Sequence, residues 1–120
     1  METTRQHKIA RLIQKDLSDL FLQYVRSLQN TAREESLGGV IVSVSEVRIS
    51  PDLAIAHVYL SIFPDAKATT LMQHIEADKG KLRGQLGNLE RHQLRIIPEL
   101  IFHLDDTITQ MEHIEQLLQQ

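Results

Sequence analysis

The sequence predicts an α+β domain with helices packed on one face of a three-stranded sheet. Three observations lead there: a long helical pattern at the start, two adjacent β-patterned runs divided by a turn, and a third β run reached through a second helical stretch. The 120 residues make one domain, 1–120, by length, and a chain of this size buries about two thirds of its unfolded surface.

In the first element, apolar residues fall at Ile9, Leu12, Ile13, Leu17, Leu20, Phe21, Tyr24, Val25 and Leu28. Steps of three, four and one are those of a helix with one buried stripe, here from about residue 4 to about residue 30. "SLGG" at 36–39 breaks it, because two glycines are free to take positive φ. Residues 40–49, "VIVSVSEVRI", are rich in β-branched side chains and alternate, but the phase slips: Val40, Val42 and Val44 share one face, Val47 and Ile49 the other. One extra residue near Ser45 or Glu46 repairs the register, so a β-bulge is predicted there. "SPDLA" at 50–54 sets proline and aspartate in a turn, and "AIAHVYLSI" at 54–62 alternates again, giving an antiparallel hairpin.

After Pro64 the spacing becomes helical at Ala68, Leu71, Met72 and Ile75, with Asp65 as N-cap. A second stripe, Leu82, Leu86 and Leu89, follows across Gly80, which predicts two short helices meeting at a glycine kink. Residues 94–104 alternate around Pro98 and form the third strand, which lies at a sheet edge or bulges there because proline cannot donate to a ladder. "DDTITQMEHIEQLL" at 105–118 predicts a C-terminal amphipathic helix.

Composition excludes several classes. Without cysteine there is no disulfide scaffold, thiolate metal site or cysteine nucleophile. The N-terminal basic residues are not followed by an unbroken apolar core, so a secretory signal is not expected. No apolar run approaches the about 20 residues a membrane span needs, and a cytoplasmic protein is expected. The net charge of −3 hides strong segregation: six basic against three acidic residues in 1–33, two against seven in 34–78, five against one in 79–95, and none against five in 96–120. A polyanion meets the local field of a basic block before the small net charge.

The sharper block contains Lys79, Lys81, Arg83, Arg91 and Arg95, and three of the five glycines lie between 79 and 100. With Leu82, Leu86 and Leu89 facing inward, those cations reach solvent around the helix, Arg95 carries the charge onto the third strand, and only Glu90 interrupts it. Gly80 permits close backbone approach to a phosphate near a helix N-terminus, and His92, between Arg91 and Arg95, is placed to bond or stack on RNA. Arg5, Lys8, Arg11 and Lys15 form a second candidate patch. The blander reading is a solvated helix face with no partner. The string Gly84-Gln85-Leu86-Gly87 matches a GxxG RNA-binding loop, but it lies within the leucine periodicity and reads as helix.

The six histidines show no metal-ligand spacing and read mostly as surface or strand residues; no metal or cofactor is expected. Helix capping accounts for Asp105 and Asp106 beside His103, and no nucleophile is spaced for catalysis. Aromatic residues make up 4% of the chain and Trp is absent, so base-stacking platforms are not expected and recognition falls to phosphates and shape.

"RQHKIARLIQKDLSDLF" at 5–21, "VSEVRISPDLAIAHVYLS" at 44–61 and "LRIIPELIFHLDDTITQMEHIEQLL" at 94–118 resemble the ribosome-binding factor A family over nearly the whole chain, with the SPDL turn and the RIxPEL strand start the most specific pieces. The resemblance implies a type II KH-like domain with a helix–kink–helix unit in place of the GxxG loop. It implies a non-enzymatic, monomeric factor that binds the free 30S subunit and assists late maturation and processing of 16S rRNA. 16S rRNA or its precursor is the expected partner, with ribosomal proteins as further partners. The family kink, Ala-x-Gly, corresponds here to Ala77-Asp78-Lys79-Gly80, one residue longer. The sequence stops at Gln120 without the charged tail some relatives carry, so contacts through such a tail are not expected. The competing reading is a protein-docking module that binds a ribosomal protein or another assembly factor.

Overall fold

The computed structural model describes residues 4–29 and 39–105. Helix α1 spans Thr4–Gln29; strands β1 (Ile41–Ile49) and β2 (Ile55–Phe63) form the hairpin. A 3-10 turn (Asp65–Lys67) leads into α2 (Ala68–Ala77) and α3 (Lys79–Glu90), and β3 (Glu99–Leu104) completes the sheet. The order is β1-β2-β3, with β1 and β2 antiparallel and β2 and β3 parallel. A parallel neighbour needs a long crossover, and α2 with α3 supplies it.

The bulge lies where the phase slip put it. Val44 pairs with Leu60 and Glu46 with Tyr59, leaving Ser45 as the extra residue. Val44, Val47 and Ile49 can therefore all point inward. Ser45 keeps its place by donating its hydroxyl to the Asp105 carboxylate at 2.6 Å, with the Tyr59 carbonyl 3.1 Å from the same oxygen. From above the sheet, Gln14 donates to the Val44 carbonyl at 3.1 Å, and the buried Gln6 to that of Ile49 at 2.9 Å. These bonds satisfy polar groups under α1 that water does not reach.

The core lies between this face of the sheet and the helices. Ile13, Leu17 and Phe21 of α1, Leu71 and Ile75 of α2, and Leu82 and Leu86 of α3 are fully buried over Val58, Leu60 and Leu100. Phe21 meets Phe102 edge to face at 5.9 Å and Tyr24 at 6.2 Å.

The hairpin turn is built by its own polar atoms. Ser50 donates its hydroxyl to Asp52 Oδ1 (2.7 Å) and accepts from the Ile55 amide (3.0 Å), while the Ala54 amide also donates to Oδ1 (3.1 Å). The Ser50 bond and then the Ala54 bond hold the Asp52 carboxyl below its ordinary value. Leu53 pays for the turn with φ of 61°, a left-handed conformation costing roughly 1–2 kcal/mol for a residue with a Cβ, and its side chain packs against the core.

Five expectations need correction or fall outside the description. The third strand begins at Glu99, not at Leu94. The amides of Gln93 and Leu94 turn back to the Glu90 carbonyl at 2.8 Å each, and the ladder starts where the Glu99 amide reaches Ala54. Asp65 is not an N-cap; Pro64 and Lys67 hold those positions without side-chain caps, and Asp65 sits in the first turn. The helical break falls at Asp78 (φ −99°, ψ 11°), a conformation open to any residue, so Gly80 is not the kink. Leu89 is 52% exposed because the next step of four from Leu86 lands on Glu90. The C-terminal helix expected at 105–118 lies, after Asp105, outside the described residues.

Phe21→Ala is expected to lower stability by about 3–5 kcal/mol in urea unfolding. The adjacent, 58% exposed Leu22 is expected to change it by less than about 0.5 kcal/mol on the same truncation. Equal losses at the two positions would contradict this placement of the core.

Candidate nucleic-acid interface

The joint between α2 and α3 is fixed by a residue distant in sequence. Tyr24, on α1, donates its hydroxyl to Asp78 Oδ2 at 2.7 Å, while the Asp78 amide reaches the His74 carbonyl and its own carbonyl accepts from Leu82, each at 3.0 Å. A carboxylate held this way fixes the direction in which α3 leaves.

The α3 cations do not share one surface. Lys79 is half-buried, with Glu76 at 4.0 Å on the preceding turn, a weak pair. Lys81 lines a groove of about 260 Å³ between α1 and α3, together with Tyr24, Asp78 and Gln85. Arg83, two residues on, points to nearly the opposite side of the helix. Its guanidinium donates to the carbonyls of Ile97 (2.6 Å) and Pro98 (3.2 Å). A predicted phosphate ligand is thus a brace that holds the segment between α3 and β3. Arg91 and His92 are exposed in the turn after α3, and Arg95 lies in the connector rather than on the strand. Gly84 and Gly87 are helical, as the leucine period predicted, and a Cβ at Gly80 would meet open space.

What the structure does bring together are the two patches read separately in the sequence. Arg5, Lys8, Arg11 and Lys15 recur at helical spacing and are all exposed. Arg5 and Lys8 border a cavity of about 250 Å³ shared with Gln93 and Leu94, and Arg5 and Arg95 border a second of about 260 Å³. The start of α1 and the connector into β3 therefore form one cationic margin. None of Arg5, Lys8, Arg91 or Arg95 is ion-paired among the described residues.

Glu90, expected as an acidic interruption of the basic face, is instead fully buried, and neither carboxylate oxygen has a hydrogen-bond partner among the described residues. Burial, and secondarily the charge of Asp16 on α1, pushes its pKa up to about 7. Periodicity carried a signal for this, since 82, 86 and 90 are spaced by four.

The open face of the sheet holds a second group that was not foreseen. His57 Nδ1 lies 2.9 Å from His103 Nε2, so one ring donates and the other accepts. His103 also stacks on Tyr59 at 4.8 Å, and the Arg48 guanidinium lies 5.9 Å from the Tyr59 ring centre. The His57 and His103 rings meet through their edge nitrogens, with centroids 5.2 Å apart. Among the described residues, no cluster of three His, Asp or Glu side chains is placed to hold a metal, and no helix is long and apolar enough to cross a membrane.

The profile of the family described as ribosome-binding factor A matches residues 5–118. The chain is 41% identical over 118 residues to ribosome-binding factor A of Cytophaga hutchinsonii, covering 98% of this chain and 83% of that one. It is 40% identical over 115 residues to that of Christiangramia forsetii, covering 96% and 82%. The crystal structure of ribosome-binding factor A from Thermus thermophilus superposes with a TM-score of 0.60 at 17% identity, over 82% of this chain and 94% of that one. That likeness concerns the fold, which is KH-like.

Arg83→Ala is expected to cost about 1 kcal/mol and to speed amide exchange at Glu99, where the connector joins the ladder. Arg83→Lys is not expected to restore protection, because an ammonium cannot span two carbonyls as the planar fork does. Unchanged exchange at Glu99 in both variants would remove the bracing role.

Glu90 binds its proton more tightly folded (about 7) than unfolded (4.5). Its contribution therefore erodes stability as pH rises from about 4.5 to about 7 and is level above that. Glu90→Gln should flatten this part of the pH profile in denaturant titrations and be more stable than the parent at pH 8, by up to about 3 kcal/mol. A variant that retains the parental slope would show that Glu90 is ionised in the folded protein.

Proposed function

The chain belongs to the ribosome-binding factor A family, and from that premise we propose that it binds the free 30S subunit through 16S rRNA or its precursor and assists late maturation and processing of that RNA. Membership itself carries the coarser statement, a ribosome-associated assembly role in a family of binding factors rather than a known enzyme class. The finer reading rests on one observation, the convergence of Arg5 and Lys8 with Arg95 at a margin where no cation is ion-paired among the described residues. Unpaired cations at a common edge exchange their counterions for phosphates, which is the dominant electrostatic term in nucleic-acid binding. Arg91 and His92 extend that margin and Arg11 and Lys15 continue it along α1, whereas Lys81 lies apart, beside Tyr24 and Leu28 toward the other end of α1. Lys79 and Arg83 contribute less than the sequence assigned them, because each already has a partner within the protein. The protein acts in the cytoplasm, as a monomer and without a cofactor.

In an extract run through a sucrose gradient, the protein is expected to travel with free small subunits. With about five phosphates neutralised, log affinity should fall against log salt with a slope of roughly −3 to −5. Arg5→Glu combined with Arg95→Glu should abolish binding to protein-free 16S rRNA. No affinity of the parent for protein-free rRNA, with a flat salt response on subunits, would shift the contact to a ribosomal protein; full rRNA binding by the reversed variant would move the RNA contact away from the Arg5–Arg95 margin.

A further inference from the structure

We propose that the cavity between the start of α1, the hairpin turn and the connector into β3 seats a single unstacked nucleotide, its base in the cavity and its flanking phosphates on Arg5 and Arg95. This rests on the RNA-binding reading above and adds to it a site with base preference.

Four features of the cavity point to that occupant. Its floor is aliphatic, made by Ile9, Leu53, Leu94 and Pro98, and its volume of about 260 Å³ is just below the range of roughly 300–1,000 Å³ typical for drug-sized ligands. That scale suits a flat ring system and excludes a helix or an extended peptide. Two guanidiniums border it, neither of them ion-paired among the described residues. An apolar slot between unpaired cations matches the chemistry of a nucleotide, a hydrophobic ring carried between anions, and Arg planes also stack on bases. A wholly apolar side chain would leave both charges unanswered.

The third feature is Asp52, the acid at the rim. Its Oδ1 is occupied by the Ser50 hydroxyl and the Ala54 amide, whereas no other residue donates to Oδ2 among the described residues. A carboxylate oxygen reads N–H donors on a base edge. Guanine, adenine and cytosine present an exocyclic amino group to it. Uracil offers an N–H flanked by two carbonyl oxygens that the carboxylate repels. The fourth is Leu53, the single non-glycine residue with positive φ among the described residues, whose strained backbone turns its side chain into the cavity wall. Strain of this kind collects at ligand clamps. Ile96, 76% exposed at the mouth, is placed to cover a seated ring.

The test uses the full chain and fluorescent uridine heptamers with one central guanosine, adenosine, cytidine or uridine, titrated at low salt. Amino-bearing centres should bind about fivefold tighter than uridine. Ala54→Leu, which fills the slot, should erase that preference. Asp52→Asn retains the Oδ1 acceptor of the turn but replaces Oδ2 with an amide donor, and should move the ranking toward uridine. Unfolding midpoints close to the parent's would show that the turn survives in both variants. Equal, salt-dependent binding of all four heptamers would overturn the nucleotide site and leave the RNA-binding reading standing. No binding of any heptamer or of 16S rRNA would overturn both.

Discussion

Two hydrogen bonds from Arg83 to the carbonyls of Ile97 and Pro98 decide where the other cations of this protein go. Because β3 runs parallel to β2, the chain must return the length of the sheet through α2 and α3 before it can pair. The segment that completes the return, 91–98, has no ladder of its own, and Pro98 brings no amide to offer. A guanidinium with several fixed donors ties two of its carbonyls to α3, and so gives an irregular segment a defined path. That path carries Arg95 to the start of α1, where Arg5 lies.

The distribution of charge follows from the same packing. The α1–α3 contact takes a carboxylic acid into the interior, where burial and Asp16 favour its neutral form, and uses a second carboxylate, Asp78, as the anchor of the helical joint. The two acids of that contact, Glu90 and Asp78, are thus turned inward or already engaged. Arg5, Lys8, Arg91 and Arg95 remain exposed and unpaired among the described residues, although the chain as a whole is acidic. Local arrangement, not net charge, sets the field a polyanion meets.

Much of the fold was legible in the sequence because it depends on neighbours a few residues apart. The period of α1, the alternation of β1 and β2, and the slip at Ser45 all report short-range geometry, and each element stands where those patterns put it. Boundaries were legible only where local chemistry set them. Asp78 breaks the helices without glycine because the turn it adopts is open to any residue and Tyr24, distant in sequence, holds it there. The third strand was drawn too early because alternation continues through 94–98, while the register of its partner begins only at Ile55.

The sequence alone determined the α+β class, the helices and strands from α1 to β3 other than their exact ends, and the presence of two basic blocks within an acidic chain. Tertiary structure decided which cations stay available: it tied Arg83 to two carbonyls, left Lys79 beside Glu76, buried Glu90, and joined Arg5 to Arg95 across ninety positions. The physical reason is reach. Periodicity records which way a residue faces on its own element, whereas a partner of a charged group is chosen by where distant elements end, and no local pattern encodes that distance.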